Sequence, residues 1–145
     1  MINMWNIKED LIYGKEREYG VIKYLNDNIY LEDNVKLYSN EKKQVDFRNN
    51  EIVGELKSRT NKYKTYQTTM FGYNKLEYFN NLENENRILK FYFLFTDGLY
   101  VWTHNEQQYT LKNFNHKERG VVKQAYIDIK YLECLSRKIT SINFK

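Results

Sequence analysis

The chain has 145 residues, with 23 basic and 19 acidic side chains and a formal net charge of +4 at pH 7. This length predicts one domain over residues 1–145 and excludes a catalytic domain joined to a separate recognition domain. No apolar run approaches the roughly 20 residues that span a bilayer, and the N-terminus lacks a signal-peptide pattern, so we expect a soluble, intracellular protein without a membrane partner. The single Cys134 excludes an internal disulfide and is typical of a reducing compartment.

The first predicted element is an amphipathic helix over residues 9–27. Val21 and Leu25 belong to an apolar stripe at helical spacing. Glu18 lies in the same stripe, three residues before Val21, so its carboxylate should project from the face that packs on a sheet. Because burial of an unpaired charge is costly, two interpretations stay open. Glu18 either reaches solvent or a neighbouring lysine from the edge of the stripe, or it belongs to a functional site.

The second predicted element is a β-hairpin that starts at Gln44. Asn49 and Asn50 tolerate positive φ and predict its two-residue turn. This turn predicts three facing pairs: Arg48–Glu51, Phe47–Ile52 and Asp46–Val53. Since side chains on a strand alternate between faces, the charged and apolar residues then separate. One face carries Asp46, Val53, Glu55 and Lys57, and the other carries Val45, Phe47, Ile52, Gly54 and Leu56.

Asp46, Glu55 and Lys57 are the residue types that metal-assisted phosphodiester hydrolysis uses. Diagonal neighbours such as Asp46 and Glu55 lie about 7–8 Å apart at the backbone, and both carboxylates can reach one hard cation with ligand distances of about 2.0–2.1 Å. The Lys57 ammonium follows on the same face, where it can orient a water molecule and stabilise charge on the attacked phosphate. The alternative is an amphipathic hairpin whose charged face is solvated.

The spacing of these residues resembles a known nuclease motif. Asp46, then eight residues, then Glu55-Leu56-Lys57 resembles the D…ExK core of the PD-(D/E)xK superfamily, and Val45 replaces the proline of the motif's name. Residues 18–25 are similar to the E-x-x-L-I-x-x-L pattern in the first helix of archaeal-type Holliday junction resolvases. The resemblance implies a restriction-endonuclease-like fold, a Mg²⁺- or Mn²⁺-dependent endonuclease, and a homodimer that acts on branched or duplex DNA. The metal ligands that it implies are Asp46, Glu55 and Glu18.

Basic side chains gather around the predicted hairpin. Residues 42–64 hold seven basic and three acidic side chains, so seven minus three gives +4, the excess of the whole chain. Phosphate backbones are held mainly by such charges. The predicted nucleic-acid contacts outside the catalytic set are Lys42, Lys43, Arg48, Arg59, Lys62 and Lys64. The alternative is a solvated basic face.

A long helix is predicted over residues 62–83, where aromatic and apolar side chains recur every three or four residues. In nucleases of the resembled family, the helix after the ExK strand often presents a glutamine or a lysine to the metal site. Gln67 is the catalytic candidate here and Lys64 is the second choice. The alternative is that Gln67 faces solvent.

The remaining predicted elements complete a sheet. Residues 88–96 form a nearly continuous apolar run, typical of a central strand that is covered on both faces. Further strands are predicted at 99–103, 107–111 and 126–129, followed by a short helix at 130–136. The alternative for the tail is a single helix over 120–138. The predicted fold class is therefore α/β, with a central mixed sheet of about four to six strands flanked by the two long helices.

Two other classes of function stay open. The first is a catalytically silent relative that serves as a nucleic-acid-binding or virion structural module. The second is a plain protein-interaction domain. Within the enzyme class, restriction-type, repair and RNA-cleaving activities also stay open, because the C-terminal third carries no motif that is diagnostic of a substrate.

Overall fold

Residues 4–37, 47–80 and 86–144 are described by the structure, a computed structural model, and they form two helices and nine strands. The helices are α1 (Met4–Asn28) and α2 (Asn74–Phe79). The strands are β1 (Lys36–Leu37), β2 (Phe47–Arg48), β3 (Ile52–Ser58), β4 (Thr68–Gly72), β5 (Ile88–Phe95), β6 (Gly98–Thr103), β7 (Tyr109–His116), β8 (Gly120–Asp128) and β9 (Glu133–Ser136). A short 3₁₀ turn at Ile129–Tyr131 joins β8 to β9.

The strands form two sheets. The main sheet has the order β1-β2-β3-β5-β6-β9, and the small sheet has the order β4-β8-β7. In the main sheet β3 and β5 are parallel, and the other described pairs are antiparallel. The predicted α/β class with a mixed central sheet is thus confirmed. The small sheet has no counterpart in the prediction.

The main sheet is covered on both faces. On the side that we call its helix face, α1 and the C-terminal segment pack through Val21, Leu25, Val35, Phe47, Ile52, Tyr92, Leu94, Leu99, Val101 and Phe144. On the opposite side, its sheet face, the small sheet and α2 pack through Val53, Phe71, Leu76, Leu89, Phe91, Phe93, Phe95, Tyr100, Trp102, Ala125, Ile127 and Leu132. The near-continuous apolar run of β5 follows from this, because a strand with both faces covered must be apolar at successive positions.

The turn between β2 and β3 is two residues longer than predicted. The observed Cα pairs are Phe47–Gly54 and Arg48–Val53, in place of the predicted Phe47–Ile52 and Arg48–Glu51. The reason is the buried Asn49 side chain, whose Oδ1 accepts hydrogen bonds of 2.8 Å from the backbone N–H groups of Glu51 and Ile52. Because the shift is an even number of residues, every side chain keeps its predicted face.

The two predicted faces of the hairpin are confirmed for the described residues. The apolar set on the helix face comprises Phe47, Ile52 and Leu56. Glu55 and Lys57 lie on the sheet face, because their Cα partners on β5 are core residues of that face, Phe91 and Phe93. The charged face of the hairpin is therefore covered by a second protein layer, and the alternative of a solvated charged face is wrong for Glu55.

Gly54 allows β2 and β3 to pack closely, because it has no side chain at the place where the ring of Phe47 lies. A Cβ atom at Gly54 would lie 2.2 Å from Cε2 of Phe47, whose ring is fully buried. We expect Gly54→Ala to lower the free energy of unfolding by about 1–3 kcal/mol, the usual cost of overpacking a core. Urea denaturation measures this change, and a variant as stable as the parent would contradict the contact.

Gly14→Ala is the matched control for that substitution. Gly14 lies on α1, and no described atom lies within 4 Å of the methyl group that the substitution adds. Alanine in an exposed helix position is favoured over glycine by up to about 1 kcal/mol. The same methyl group is therefore expected to stabilise the protein at Gly14 and to destabilise it at Gly54.

The first predicted helix is confirmed, since α1 contains all of residues 9–27. Its side chains Val21 and Leu25 are fully buried on the helix face. Neither of the two described helices is both long enough and apolar enough to cross a membrane.

The second predicted helix, over residues 62–83, is wrong. The chain there forms a loop and then β4, and among the described residues only Asn74–Phe79 is helical. Thr69 and Phe71 are buried while their neighbours on β4 are more exposed, and Phe71 stacks on Phe91 with 3.9 Å between ring centroids. Every second residue of β4 is thus buried against the main sheet. This packing decides the local structure, although the aromatic residues recur at helical spacing.

The C-terminal predictions are partly confirmed. The predicted strands at 88–96 and 99–103 are β5 and β6, and those at 107–111 and 126–129 overlap β7 and β8. However, β7 lies in the small sheet rather than at the edge of the main one. The predicted helix at 130–136 is wrong, because β9 pairs with β6 and satisfies its backbone hydrogen bonds at that edge.

Candidate functional site

Glu55 is a carboxylate buried between the two sheets. Only 4% of its surface is exposed. Its Oε1 lies 3.2 Å from Nζ of Lys57 and 3.3 Å from Nζ of Lys75. Two ammonium groups thus face one carboxylate oxygen where solvent screens little, and a buried charge needs such compensation. We call Glu55, Lys57 and Lys75 the ion cluster.

Two elements position the ion cluster. β3 carries Glu55 and Lys57 two residues apart on the sheet face, and α2 brings Lys75 from the crossover between β3 and β5. Parallel strands cannot be joined by a tight turn and need such a crossover. α2 is anchored there by the buried side chain of Leu76 and by Tyr73, whose backbone N–H donates to the carbonyl of Lys123 at 3.1 Å.

Arg59 extends the row of charged residues past the end of β3. Its guanidinium lies 5.6 Å from the ring centroid of Phe93 and donates to the backbone carbonyl of Met70 and, at 3.4 Å, to Oγ1 of Thr69. Burial lowers the pKa of this guanidinium. The predicted nucleic-acid contact Arg59 therefore joins β3 to β4 through two hydrogen bonds of its guanidinium.

The predicted partner carboxylate, Asp46, lies outside the described residues, as do Lys42 and Lys43. Asp46 directly precedes Phe47 in the sequence, and Gly54 directly precedes Glu55. Phe47 and Gly54 are Cα partners across β2 and β3. The immediate neighbours of two of the three predicted metal ligands, Asp46 and Glu55, are thus paired.

Glu18 lies on α1 and is half-buried, as its place in the apolar stripe predicts. α1 packs on the helix face through Val21 and Leu25, whereas Glu55 lies on the sheet face. The structure therefore does not bring the two carboxylates to the same side of the main sheet. In the described part of the chain, no three histidine, cysteine, aspartate or glutamate side chains form a group that could hold a metal ion.

Gln67 lies in the loop before β4 rather than on a helix. Its side-chain amide donates to Oδ2 of Asp128 at 3.4 Å. A hydrogen bond from the backbone N–H of Lys130 is the main cause that lowers the pKa of this aspartate. Gln67 is exposed in this position and is not part of the ion cluster.

Lys75 is the site residue that the sequence prediction misses. The predicted helix begins at residue 62, so its first turns offer Lys64 and Gln67. The observed helix begins at Asn74, and Lys75 lies in its first turn. The available signal is Gly72, because a glycine inside a helix costs about 1 kcal/mol relative to alanine and so disfavours a helix that runs through residue 72.

The other predicted nucleic-acid contacts differ in exposure. Arg48 is half-buried on β2, where it pairs with Val53 and so belongs to the sheet face. Lys62 and Lys64 are exposed in the loop after β3. Of the described basic candidates, these two loop lysines are the most accessible to a phosphate backbone.

No model of a known protein family matches this chain. A comparison with curated proteins finds no match either. The ion cluster and the fold around it therefore carry the functional conclusion.

Proposed function

We propose that the protein is a metal-dependent DNA endonuclease of the PD-(D/E)xK type, with Asp46, Glu55 and Lys57 as its catalytic residues. The observation that carries the proposal is the buried carboxylate of Glu55, with Lys57 and Lys75 ammonium groups 3.2 and 3.3 Å from one of its oxygens. A carboxylate attracts a hard cation, and neighbouring ammonium groups attract a phosphate. Both attractions are needed where a metal ion and a phosphodiester must meet.

The order of the elements supports the same proposal. The resembled family has a first helix, a strand, an Asp-bearing strand, an ExK strand and a crossover helix. This chain has α1, β1, β2 next to Asp46, β3 with Glu55 and Lys57, and α2 in the crossover to the parallel strand β5. A restriction-endonuclease-like core is therefore part of the proposal, with the small sheet as an addition to it.

Glu55 and Asp46 are the residues that would hold the metal ion. Mg²⁺ is usually bound by one or two carboxylates together with substrate phosphates, so two carboxylates are sufficient. Glu18 is left out of this ligand set, because it lies on α1, which packs on the opposite face of the main sheet from Glu55. When bound, Mg²⁺ or Mn²⁺ supplies a polarised water and neutralises charge on the phosphate.

The two lysines have different roles in the proposal. The Lys57 side chain is 27% exposed and that of Lys75 is 16% exposed, so Lys57 is the group that can contact the scissile phosphate. An ammonium held there stabilises the negative charge that develops during attack on phosphorus. Lys75 is a positioning residue, because from α2 it holds the carboxylate of Glu55 in place.

A substrate panel tests the proposal. Purified protein is incubated with branched, duplex and single-stranded DNA and with RNA, in Mg²⁺, Mn²⁺ or EDTA. We expect DNA cleavage with either metal and none in EDTA. Asp46→Asn is expected to remove cleavage, because the amide has lost the charge that attracts the cation. If no substrate is cut with either metal, or if Asp46→Asn cuts as well as the parent, the enzyme proposal fails.

Branched DNA is the substrate that we expect to be cut best. The similarity of residues 18–25 to the first helix of junction resolvases supports this choice, and such enzymes act as homodimers because a four-way junction needs two symmetric cuts. Equal cleavage of linear duplex would favour a restriction-type or repair nuclease instead. DNA binding without cleavage would favour a catalytically silent nucleic-acid-binding module.

A further inference from the structure

The hairpin formed by β7 and β8 projects beyond the rest of the small sheet. β4 pairs with β8 only as far as Gly72–Gln124, whereas β7 pairs with β8 as far as His116–Gly120. Among the described residues, the last four pairs of the hairpin therefore have no third strand beside them, and they extend by about 14 Å, at ~3.4 Å per residue. We call residues 112–123, which include Lys112 at the base of this extension, the arm.

The arm is basic. Its charged residues are Lys112, Lys117, Glu118, Arg119 and Lys123, so four basic minus one acidic gives +3. All four basic side chains are exposed. The ammonium groups of Lys112 and Lys123 lie 5.1 and 5.2 Å from the ring centroids of Tyr126 and Tyr73. The side chains of Lys112 and Lys123 thus lie against tyrosine rings, whereas Lys117 and Arg119 lie in the turn at the tip of the arm.

The tip of the arm has a defined backbone. Nδ1 of His116 accepts hydrogen bonds from the backbone N–H groups of Glu118 and Arg119, at 3.2 and 3.3 Å. Gly120 closes the turn with a φ of 72°, which glycine adopts at little cost. The tip therefore presents its two basic side chains from an ordered turn.

The arm gains little stability from its own packing. Phe114 is 49% exposed and Val121 is 67% exposed, and they lie on opposite faces of the two-stranded ribbon. A two-stranded hairpin without a covering layer is at best marginally stable. A basic ribbon that exposes an apolar side chain on each face is suited to a polyanionic partner that surrounds it.

The base of the arm lies next to the ion cluster. The carbonyl of Lys123 accepts the hydrogen bond of Tyr73, and Tyr73 directly precedes the helix that brings Lys75 to Glu55. A cavity of about 380 Å³ lies between the arm and the start of α2, and His116 and Arg119 line it from the arm side. A partner seated on the arm would therefore pass close to α2.

We propose that the arm enters the major groove of duplex DNA whose backbone is bound at the ion cluster. The major groove of B-DNA admits a two-stranded β-ribbon, whereas the major groove of A-form RNA is deep and narrow. Asn113 and Asn115 project from the arm toward solvent, and asparagine is a residue type that pairs with adenine edges. The inference rests on the proposed function, since it takes the DNA substrate of the ion cluster as the partner of the arm.

A second copy of this chain is the competing partner. In the described small sheet β7 is an edge strand, and such edges can pair with another chain. Pairing of two arms would bring two charges of +3 together, and like charges that face each other across strands are destabilising. The charge of the arm therefore favours DNA.

The test measures binding in EDTA, where cleavage plays no part. Fluorescence anisotropy gives the Kd for a short duplex DNA, a duplex RNA of the same sequence and single-stranded DNA over a series of salt concentrations. Lys117→Ala/Arg119→Ala is compared with Arg137→Ala/Lys138→Ala, which removes the same charge at exposed positions after β9. Lys117→Gln/Arg119→Gln repeats the test with longer polar side chains.

We expect the parent to bind duplex DNA most tightly. Both arm variants should raise the Kd about tenfold, and the slope of log Kd against log salt should fall by about 1 for each lost phosphate contact. The control variant should leave both the Kd and the slope of log Kd against log salt close to the values of the parent. Arm variants that bind like the control, or a parent that prefers RNA or single strands, would overturn the inference. The inference would also be overturned if the arm variants bound DNA like the parent and lost only self-association, as measured by sedimentation velocity.

The two proposals fail in distinguishable ways. If the parent cuts DNA but the arm variants bind like the control, the arm is not the DNA contact and the nuclease proposal stands. If the arm variants lose DNA binding but the parent cuts nothing with either metal, the nuclease proposal fails and the arm remains a DNA contact.

Discussion

Lys57→Ala is expected to lower the rate of metal-dependent DNA cleavage by about 10²–10³-fold, the usual loss when one preorganised donor to a developing anion is removed. The Lys57 ammonium lies 3.2 Å from Oε1 of Glu55 and is the more exposed of the two cations of the ion cluster. Its removal takes positive charge from the place where the attacked phosphate would lie. Single-turnover cleavage of a saturating substrate with Mg²⁺ measures the loss.

Lys90→Ala is the matched control for Lys57→Ala. Lys90 lies on the neighbouring strand β5, where it pairs with Gly54, and its side chain therefore belongs to the helix face. It carries the same charge three residues away along the sheet, since Lys57 pairs with Phe93, and it lies on the face opposite Glu55. The control should cleave DNA like the parent, whereas equal rates for Lys57→Ala and Lys90→Ala would contradict the role of Lys57.

Glu55→Ala is expected to lower the free energy of unfolding by about 3 kcal/mol, near the lower end of the range for breaking a buried ion pair. The substitution leaves the ammonium groups of Lys57 and Lys75 without their carboxylate in a poorly solvated place. The loss stays near the lower end because both lysine side chains are partly exposed and can turn toward water. Urea denaturation at pH 7 measures it.

Two further variants serve as controls for the Glu55→Ala measurement. Glu51→Ala removes an exposed carboxylate from the turn just before β3 and should change stability by less than about 0.5 kcal/mol. The triple variant Glu55→Leu/Lys57→Met/Lys75→Met replaces the whole ion cluster by apolar side chains and should recover most of the stability. If Glu55→Ala and Glu51→Ala have the same free energy of unfolding, the carboxylate of Glu55 does not compensate buried charges on the two lysines.

The triple variant also separates stability from function. It is expected to fold about as well as the parent and to cleave no DNA, because both the carboxylate and the two ammonium groups are gone. Replacement of a buried ion pair by apolar residues of similar volume is often neutral or stabilising, so stability alone does not require the ion cluster. If the triple variant cleaves DNA like the parent, the ion cluster is structural only.

Much of the fold and two of the three residues of the ion cluster are predictable from local patterns. The first helix follows from the spacing of Val21 and Leu25, and the strand β5 follows from its apolar run. Glu55 and Lys57 share a face because they are two positions apart on a strand, with Leu56 between them, whatever the register of the hairpin. These predictions depend only on the geometry of neighbouring residues.

The errors arise where distant contacts decide the local structure. Asn49 folds inward because its Nδ2 donates to the carbonyl of Asp33 at 2.9 Å, and this contact lengthens the turn that the two asparagines predict. The segment after β3 forms β4 rather than a helix because Phe71 finds the ring of Phe91 beneath it. Lys75 then reaches Glu55 from a helix that starts twelve residues later than predicted.

That Glu55 and Lys57 share one face follows from their spacing in the sequence, because side chains alternate between the two faces of an extended strand. The packing of the second sheet, by contrast, covers this face, buries Glu55 and brings Lys75 to it. Burial and the third charge depend on residues far apart in the chain, whose contacts form only when both sheets pack. That packing turns a charged strand face into a site where a carboxylate and two ammonium groups interact with little solvent screening.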